Sequence, residues 1–250
     1  MSVWKLELLR LWRTKRWLAL LAAFTIFGFL GPIMARYISE LIGSAAGNLT
    51  IIIPPPIPAD GFTNYIKNSM QVGLIVAVVV AAGALAIDAK TSLSIFYKTR
   101  ILQPAKLVLP RYVVVTLAVQ AAFIIGTLVA WYETAILLGS VPPMPILIGT
   151  LYICLYLAFA MAVVALSGTV ARSVIGTVGI ALTVVLLLPI IGIVHLFSKW
   201  VPSALVGSMD SLLRASSSAS DYLPAVAVTV AATIALLAIT SWRINRRDLE

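Results

Sequence analysis

DAKTSLSIFYKTRILQPAKLVLPRY, Asp88 to Tyr112, separates two stretches of nearly unbroken apolar sequence. It is basic, partly aromatic and punctuated by Pro104 and Pro110. The flanking runs, Asn68–Ile87 and Tyr112–Tyr132, are each long enough to cross a hydrocarbon core, which takes roughly 20 residues of helix. Charge gathered in a break between two such runs decides the fold class. In lipid every backbone polar group must be satisfied within the segment, so runs of this kind are helices. The expectation is an all-α, polytopic membrane protein.

The rest of the chain agrees with that reading. Of its 250 residues 61% are hydrophobic and only 11% charged, against about 25% charged in soluble domains. Mean hydropathy is +1.06. Four further apolar runs, Trp17–Ala35, Pro145–Leu166, Ser173–Leu196 and Tyr222–Trp242, bring the expected transmembrane helices to six, in a single domain over 1–250. Only a short turn around Gly168–Arg172 separates the fourth from the fifth. The basic N-terminus imitates a signal peptide, but its apolar run is too long and no small-residue cleavage site follows, so it reads as a retained first span. The lone Cys154 excludes an internal disulfide.

Six spans place both termini on one side. Of the 18 lysines and arginines, all but Arg36, Lys67, Lys199 and Arg214 then fall on that same side. The positive-inside rule makes it cytoplasmic, in a multi-pass protein of the cell membrane. A net charge of +9 distributed in this way answers to lipid headgroups and gives no reason to invoke nucleic acid.

Three segments outside the spans carry the remaining information. MSVWKLELLRLWRTKRW repeats Trp4, Leu8, Leu11 and Trp12 at helical spacing, with Lys5, Arg10, Arg13 and Arg16 elsewhere on the wheel. Residues 1–16 read as an interfacial amphipathic helix, Trp4 and Trp12 at headgroup depth and Arg13 and Arg16 on phosphates; a plain basic topogenic tail is the competing reading. On the outer side, Tyr37–Lys67 is Pro-rich and not one continuous helix, and carries a glycosylation sequon at Asn48. His195–Asp221 is too polar to cross and too apolar to float free, which suggests two short helices dipping back from the outer face as a re-entrant hairpin between spans 5 and 6.

Chemistry is sparse. One histidine, one cysteine and scattered acids make no metal site. There is no phosphate-binding G-x-x-x-x-G-K-[ST], because Gly43–Gly47 lacks the lysine. Ser167 and His195 fall at opposite ends of spans 4 and 5, about 30 Å apart, whereas a nucleophile and its base need about 3 Å. The expectation is no enzyme, no catalytic residue and no cofactor held by this chain.

Within the opening stretch, Leu93, Phe96, Tyr97 and Ile101 form one apolar stripe, with Lys98 on another face. A short helix lying on the inner surface fits, ended before Pro104 and separated from span 3 by Pro110, with Arg111 anchoring that span. A solvated topogenic loop would need the lysines and arginines but not the stripe. A helix that docks a cytoplasmic partner uses both.

This layout resembles the ABC-2-type transporter permease family. Asp88 at the end of span 2, then LSIFYKTR, then Gln103-Pro104 and finally Arg111 take the places of that family's loop; Thr91-Ser92 stand where a glycine is common. The ending WRINRRDLE is similar to the family's tail, an aromatic followed by Arg246-Arg247-Asp-Leu. The resemblance implies the permease subunit of an ATP-driven exporter, paired as a homodimer or heterodimer and served by a separate ATPase subunit that binds ATP and Mg. Residues 88–106 would be the coupling helix in the ATPase groove, with Asp88, Leu93, Phe96, Tyr97, Lys98, Arg100 and Lys106 as its contacts. Arg111, Arg246 and Arg247 would join Trp4, Trp12, Arg13 and Arg16 as interface anchors. The alternative is a scaffold or channel subunit of a secretion or uptake assembly that has no ATPase.

Overall fold

The computed structural model describes residues 3–45, 55–86, 105–171, 173–192 and 199–247, and among them every regular element is helical. In chain order these are α1 (Val3–Arg13), α2 (Arg16–Ala45), α3 (Pro58–Asn68), a π turn (Ser69–Gly73), α4 (Leu74–Leu85), α5 (Ala105–Leu137), α6 (Pro143–Val170), α7 (Val174–Ile191), a 3-10 turn (Pro202–Gly207), α8 (Ser208–Leu213), a second 3-10 turn (Ala219–Tyr222) and α9 (Leu223–Arg247). Five helical stretches among the described residues are long and apolar enough to cross a membrane: Arg16–Ile38, Pro58–Leu85, Val108–Leu137, Pro143–Val170 and Ala219–Asn245. The protein is thus built as a multi-pass helical bundle.

Several sequence expectations are corrected. The fifth apolar run, expected over Ser173–Leu196, forms the shorter α7. At 18 residues it extends about 27 Å, slightly under a full hydrocarbon core, and residues 193–198 lie outside the described set. Span 2 does not begin at Asn68. Helix starts at Pro58 and continues through the π turn to Leu85, because Phe62, Tyr65 and Ile66 are buried although Asp60, Thr63 and Lys67 make the segment look polar. The Pro-rich link is correspondingly shorter, since α2 reaches Ala45; the Asn48 sequon lies outside the described residues. Pro110 does not separate a loop from span 3: α5 passes through it. In the second turn of a helix, proline forfeits only the bond to the Lys106 carbonyl, and the helix tolerates it.

Helix α6 is the hub. Its most apolar window is 61% buried, against 17% for that of the last span, and α4, α5, α7, α8 and α9 all pack on it. Polar groups tie α5 to it along its length. Tyr112 donates its hydroxyl to the Ala158 carbonyl (3.0 Å), and Gln120 Nε2 donates to the Cys154 carbonyl (2.9 Å). Helices α2 and α5 pack most closely. A Cβ on Gly28 would fall 2.6 Å from the Gly126 carbonyl oxygen, and one on Gly126 equally close to that of Phe24. With no hydrophobic drive between helices in lipid, such close contact of small residues is what holds them. By contrast Gly179, which with Gly176 makes a similar sequence pair, has open space around it.

The packing sorts the bundle into two ends. At one, α1 meets the start of α5, and Gly168 near the end of α6 lies against Leu85 and Ala86 at the end of α4. At the other, Gly61 of α3 faces Thr134 and Leu138, and Met209 of α8 sits on Gly149 of α6.

Candidate functional site

Helix α1 presents its apolar residues outward. Trp4, Leu8 and Trp12 follow one another at i, i+4 and i+8 and are exposed, whereas the one buried residue of α1 is Glu7. A helix that hides a carboxylate and bares its tryptophans is built around that carboxylate's partner. The partner is Arg111, in the second turn of α5: its Nε donates to Glu7 Oε1 at 2.8 Å, with Glu7 8% and Arg111 4% exposed. Arg10, one turn along α1, approaches the other oxygen of Glu7 at 3.6 Å. Burying two charges is costly, and mutual neutralisation at hydrogen-bond distance offsets that cost.

Between α1 and α2 the chain turns sharply. Lys15 takes a left-handed conformation (φ 52°), uncommon for a residue with a Cβ. Thr14 donates its hydroxyl to the Arg10 carbonyl (2.8 Å) and Lys15 N–H donates to the Trp12 carbonyl (3.1 Å). Trp12 and Trp17 stack across this elbow with ring centroids 4.9 Å apart. Arg16, the first residue of α2, extends to α4: a Cβ on Gly83 would lie 2.6 Å from its Nη1. The elbow, Glu7, Arg10, Val80 and Val115 enclose a small cleft of about 20 Å³.

Of the residues expected from sequence to matter, Trp12, Arg16 and Arg111 lie at this junction, and Trp4 is exposed further back on α1. Arg13 is exposed. Arg111, expected on the surface at the membrane interface, is buried and bonded to protein. Asp88, Leu93, Phe96, Tyr97, Lys98 and Arg100 lie outside the described residues. Lys106 falls in the first turn of α5, and Arg246 and Arg247 end α9; the side chains of all three lie outside the described set. Ser167 donates to the Val163 carbonyl of its own helix (2.8 Å), and His195 is not among the described residues. Glu7 was not anticipated. Its signal was faint: one acid in a basic N-terminus, and one arginine beginning an apolar run 104 residues away.

A second polar cluster lies at the opposite end. Arg214, just after α8, donates from Nη2 to Asp60 Oδ1 (2.7 Å) and from Nε to Asp210 Oδ1 (2.8 Å). Thr63 donates its hydroxyl to the same Asp210 oxygen, and Asp60 Oδ2 accepts from the Ile57 N–H at the start of α3. The hydrogen bond to Asp60, and then that to Asp210, hold the Arg214 guanidinium above its ordinary pKa. The cluster fastens the 199–222 segment to α3, while Leu205 and Met209 bury themselves beside α6.

Between the two ends, the Tyr65 hydroxyl donates to the Phe123 carbonyl (3.0 Å) and lies 3.2 Å from Thr127 Oγ1. These bonds join α3 to α5 just before the π turn.

Comparison with known proteins yields no relative: no family model matches the sequence, and neither a curated protein nor a solved structure matches it.

Proposed function

We propose that this chain is the permease subunit of an ATP-driven exporter of the ABC-2 type, working with a separate ATPase subunit and a second permease. In this reading α7 is a sixth crossing helix, both termini face the cytoplasm, and the chain resides in the cell membrane. Helix α1 lies in the inner interface, and 199–222 forms the outer hairpin. The chain itself performs no chemistry; ATP and Mg belong to the partner, and residues 88–106 receive its motion.

The observation that carries the reading is where the amphipathic 93–101 stripe falls in the chain. It occupies the long break between two crossing helices, on the side where basic residues gather. The helix that follows, α5, is locked to α1 through Arg111 and Glu7. A pull on the loop therefore acts on α5 and α1 together, and through Tyr65 on α3. Such a pull shifts the balance between two arrangements of the helices, and its strength is the difference in the partner's affinity for the two.

Gentle extraction of the tagged chain tests this directly. A soluble P-loop ATPase should copurify, and Phe96→Asp should abolish transport-coupled ATP hydrolysis while helical content is unchanged. Recovery of a homo-oligomer alone, or loop variants that disturb assembly with no nucleotide dependence anywhere, would count against an exporter and favour the scaffold alternative.

A further inference from the structure

The elbow holds more positive charge than the protein uses. The Glu7 carboxylate is committed to Arg111 at 2.8 Å and approached by Arg10 at only 3.6 Å, which is long for a hydrogen bond. Arg16 is half-buried and, among the described residues, makes no hydrogen bond or ion pair. Its guanidinium nevertheless sits in a defined slot, against Gly83 on α4. A fork of five donors held in place at a half-buried site has donors free to take an anion's oxygens.

The cleft between Arg10 and Arg16 identifies the anion. About 20 Å³ admits one water-sized atom, so a single oxygen enters while the rest of the ligand stays outside. Arginine forks pair best with the planar or tetrahedral oxygens of carboxylate and phosphate. The outward-facing Trp4 and Trp12, together with the Trp12–Trp17 stack, set this elbow at headgroup depth in a bilayer, where the abundant anion is phosphate. Exposed Lys15, at the elbow itself, would repel a choline or ethanolamine ammonium attached to it.

We propose that the α1–α2 elbow is a discrete binding site for the phosphate of one anionic lipid, held by Arg16 and Arg10 against α4. Bound there, the lipid joins α1, α2 and α4 through one oxygen. This does not depend on what the protein transports.

The test is native mass spectrometry and thermal unfolding of the purified chain in detergent, with phosphatidylglycerol, phosphatidylcholine or inorganic phosphate added. Phosphatidylglycerol should be retained and raise the melting midpoint; phosphatidylcholine at the same mole fraction should not. Arg16→Gln should weaken phosphatidylglycerol binding about tenfold, the worth of one charge-assisted contact. Arg16→Lys keeps the charge and guards against misfolding of the glutamine variant, and should still lose much of the binding because the fork is gone. Arg13→Gln, a cation at the same depth outside the cleft, should leave binding nearly intact. Equal losses for Arg13→Gln and Arg16→Gln would overturn the site in favour of diffuse attraction. Equal shifts with the two lipids, or a full shift with inorganic phosphate alone, would overturn the lipid assignment.

Discussion

Two arginines each join distant parts of this molecule, and their surroundings give the two bonds opposite weight. Arg111 meets Glu7 at 2.8 Å with both groups more than nine-tenths buried; Arg214 meets Asp60 at 2.7 Å with each more than a third exposed. The distances are nearly equal. Water around Arg214 screens the attraction and is ready to replace either partner. Around Arg111 and Glu7 water is largely excluded, so the energy at stake is that of a buried charge losing its carboxylate. Burial decides which end of the bundle is clamped and which is merely fastened.

The sharpest way to break this contrast is to remove one member of the buried pair. Glu7→Ala should cost about 3–5 kcal/mol, because it takes the carboxylate from a buried guanidinium, and denaturant unfolding in detergent would measure it. The double variant Glu7→Leu with Arg111→Met should cost much less, since both buried charges are then gone. If single and double variants lose the same stability, the buried pair does not carry the energy assigned to it and the contrast fails.

Next in size is the packing that seats the 199–222 segment. Met209 lies so close to Gly149 that a Cβ there would approach Met209 Cβ to 2.6 Å. Gly149→Leu should cost roughly 1–3 kcal/mol by overpacking and speed limited proteolysis between Pro202 and Tyr222. A larger loss from this glycine than from Arg214 would establish that the 199–222 segment is held by packing more than by charge.

The sequence made the helices legible because lipid leaves an apolar run no other structure. Trp17–Ala35 lies inside α2 and Tyr112–Tyr132 inside α5. It did not reveal their ends. Helices of 30 and 33 residues, about 45 and 50 Å long, outrun the apolar stretch that announces them, so hydropathy marks the membrane and not the helix. Pro110 looked like a stop because proline is costly in a helix interior, yet it falls where little bonding is lost. Lys67 and Asn68 looked like a boundary because side-chain polarity is local, whereas burial of Tyr65 and Ile66 is set by helices α2 and α5. The junction was half legible: tryptophans and arginines pointed to an interface, but a bond between residues 104 positions apart has no local signature. The same holds for Asp60 and Arg214, which are 154 apart.

The smallest effect belongs to the exposed cluster, and its salt dependence is what separates it from the buried one. Arg214→Gln removes a guanidinium shared between Asp60 and Asp210, the latter one helical turn away and favourably placed N-terminal to it. Thr63 still bonds Asp210, and Asp60 still accepts the Ile57 N–H, so neither acid is stranded. The loss should be roughly 0.2–1 kcal/mol at low salt and should fade toward 1 M salt, where the screening length falls to about 3 Å. The Glu7→Ala penalty should persist across the same range, because a buried pair is screened much less by salt. A salt-independent loss at Arg214 larger than that at Glu7 would reverse the ranking of the two ends and make the Arg214 cluster the clamp.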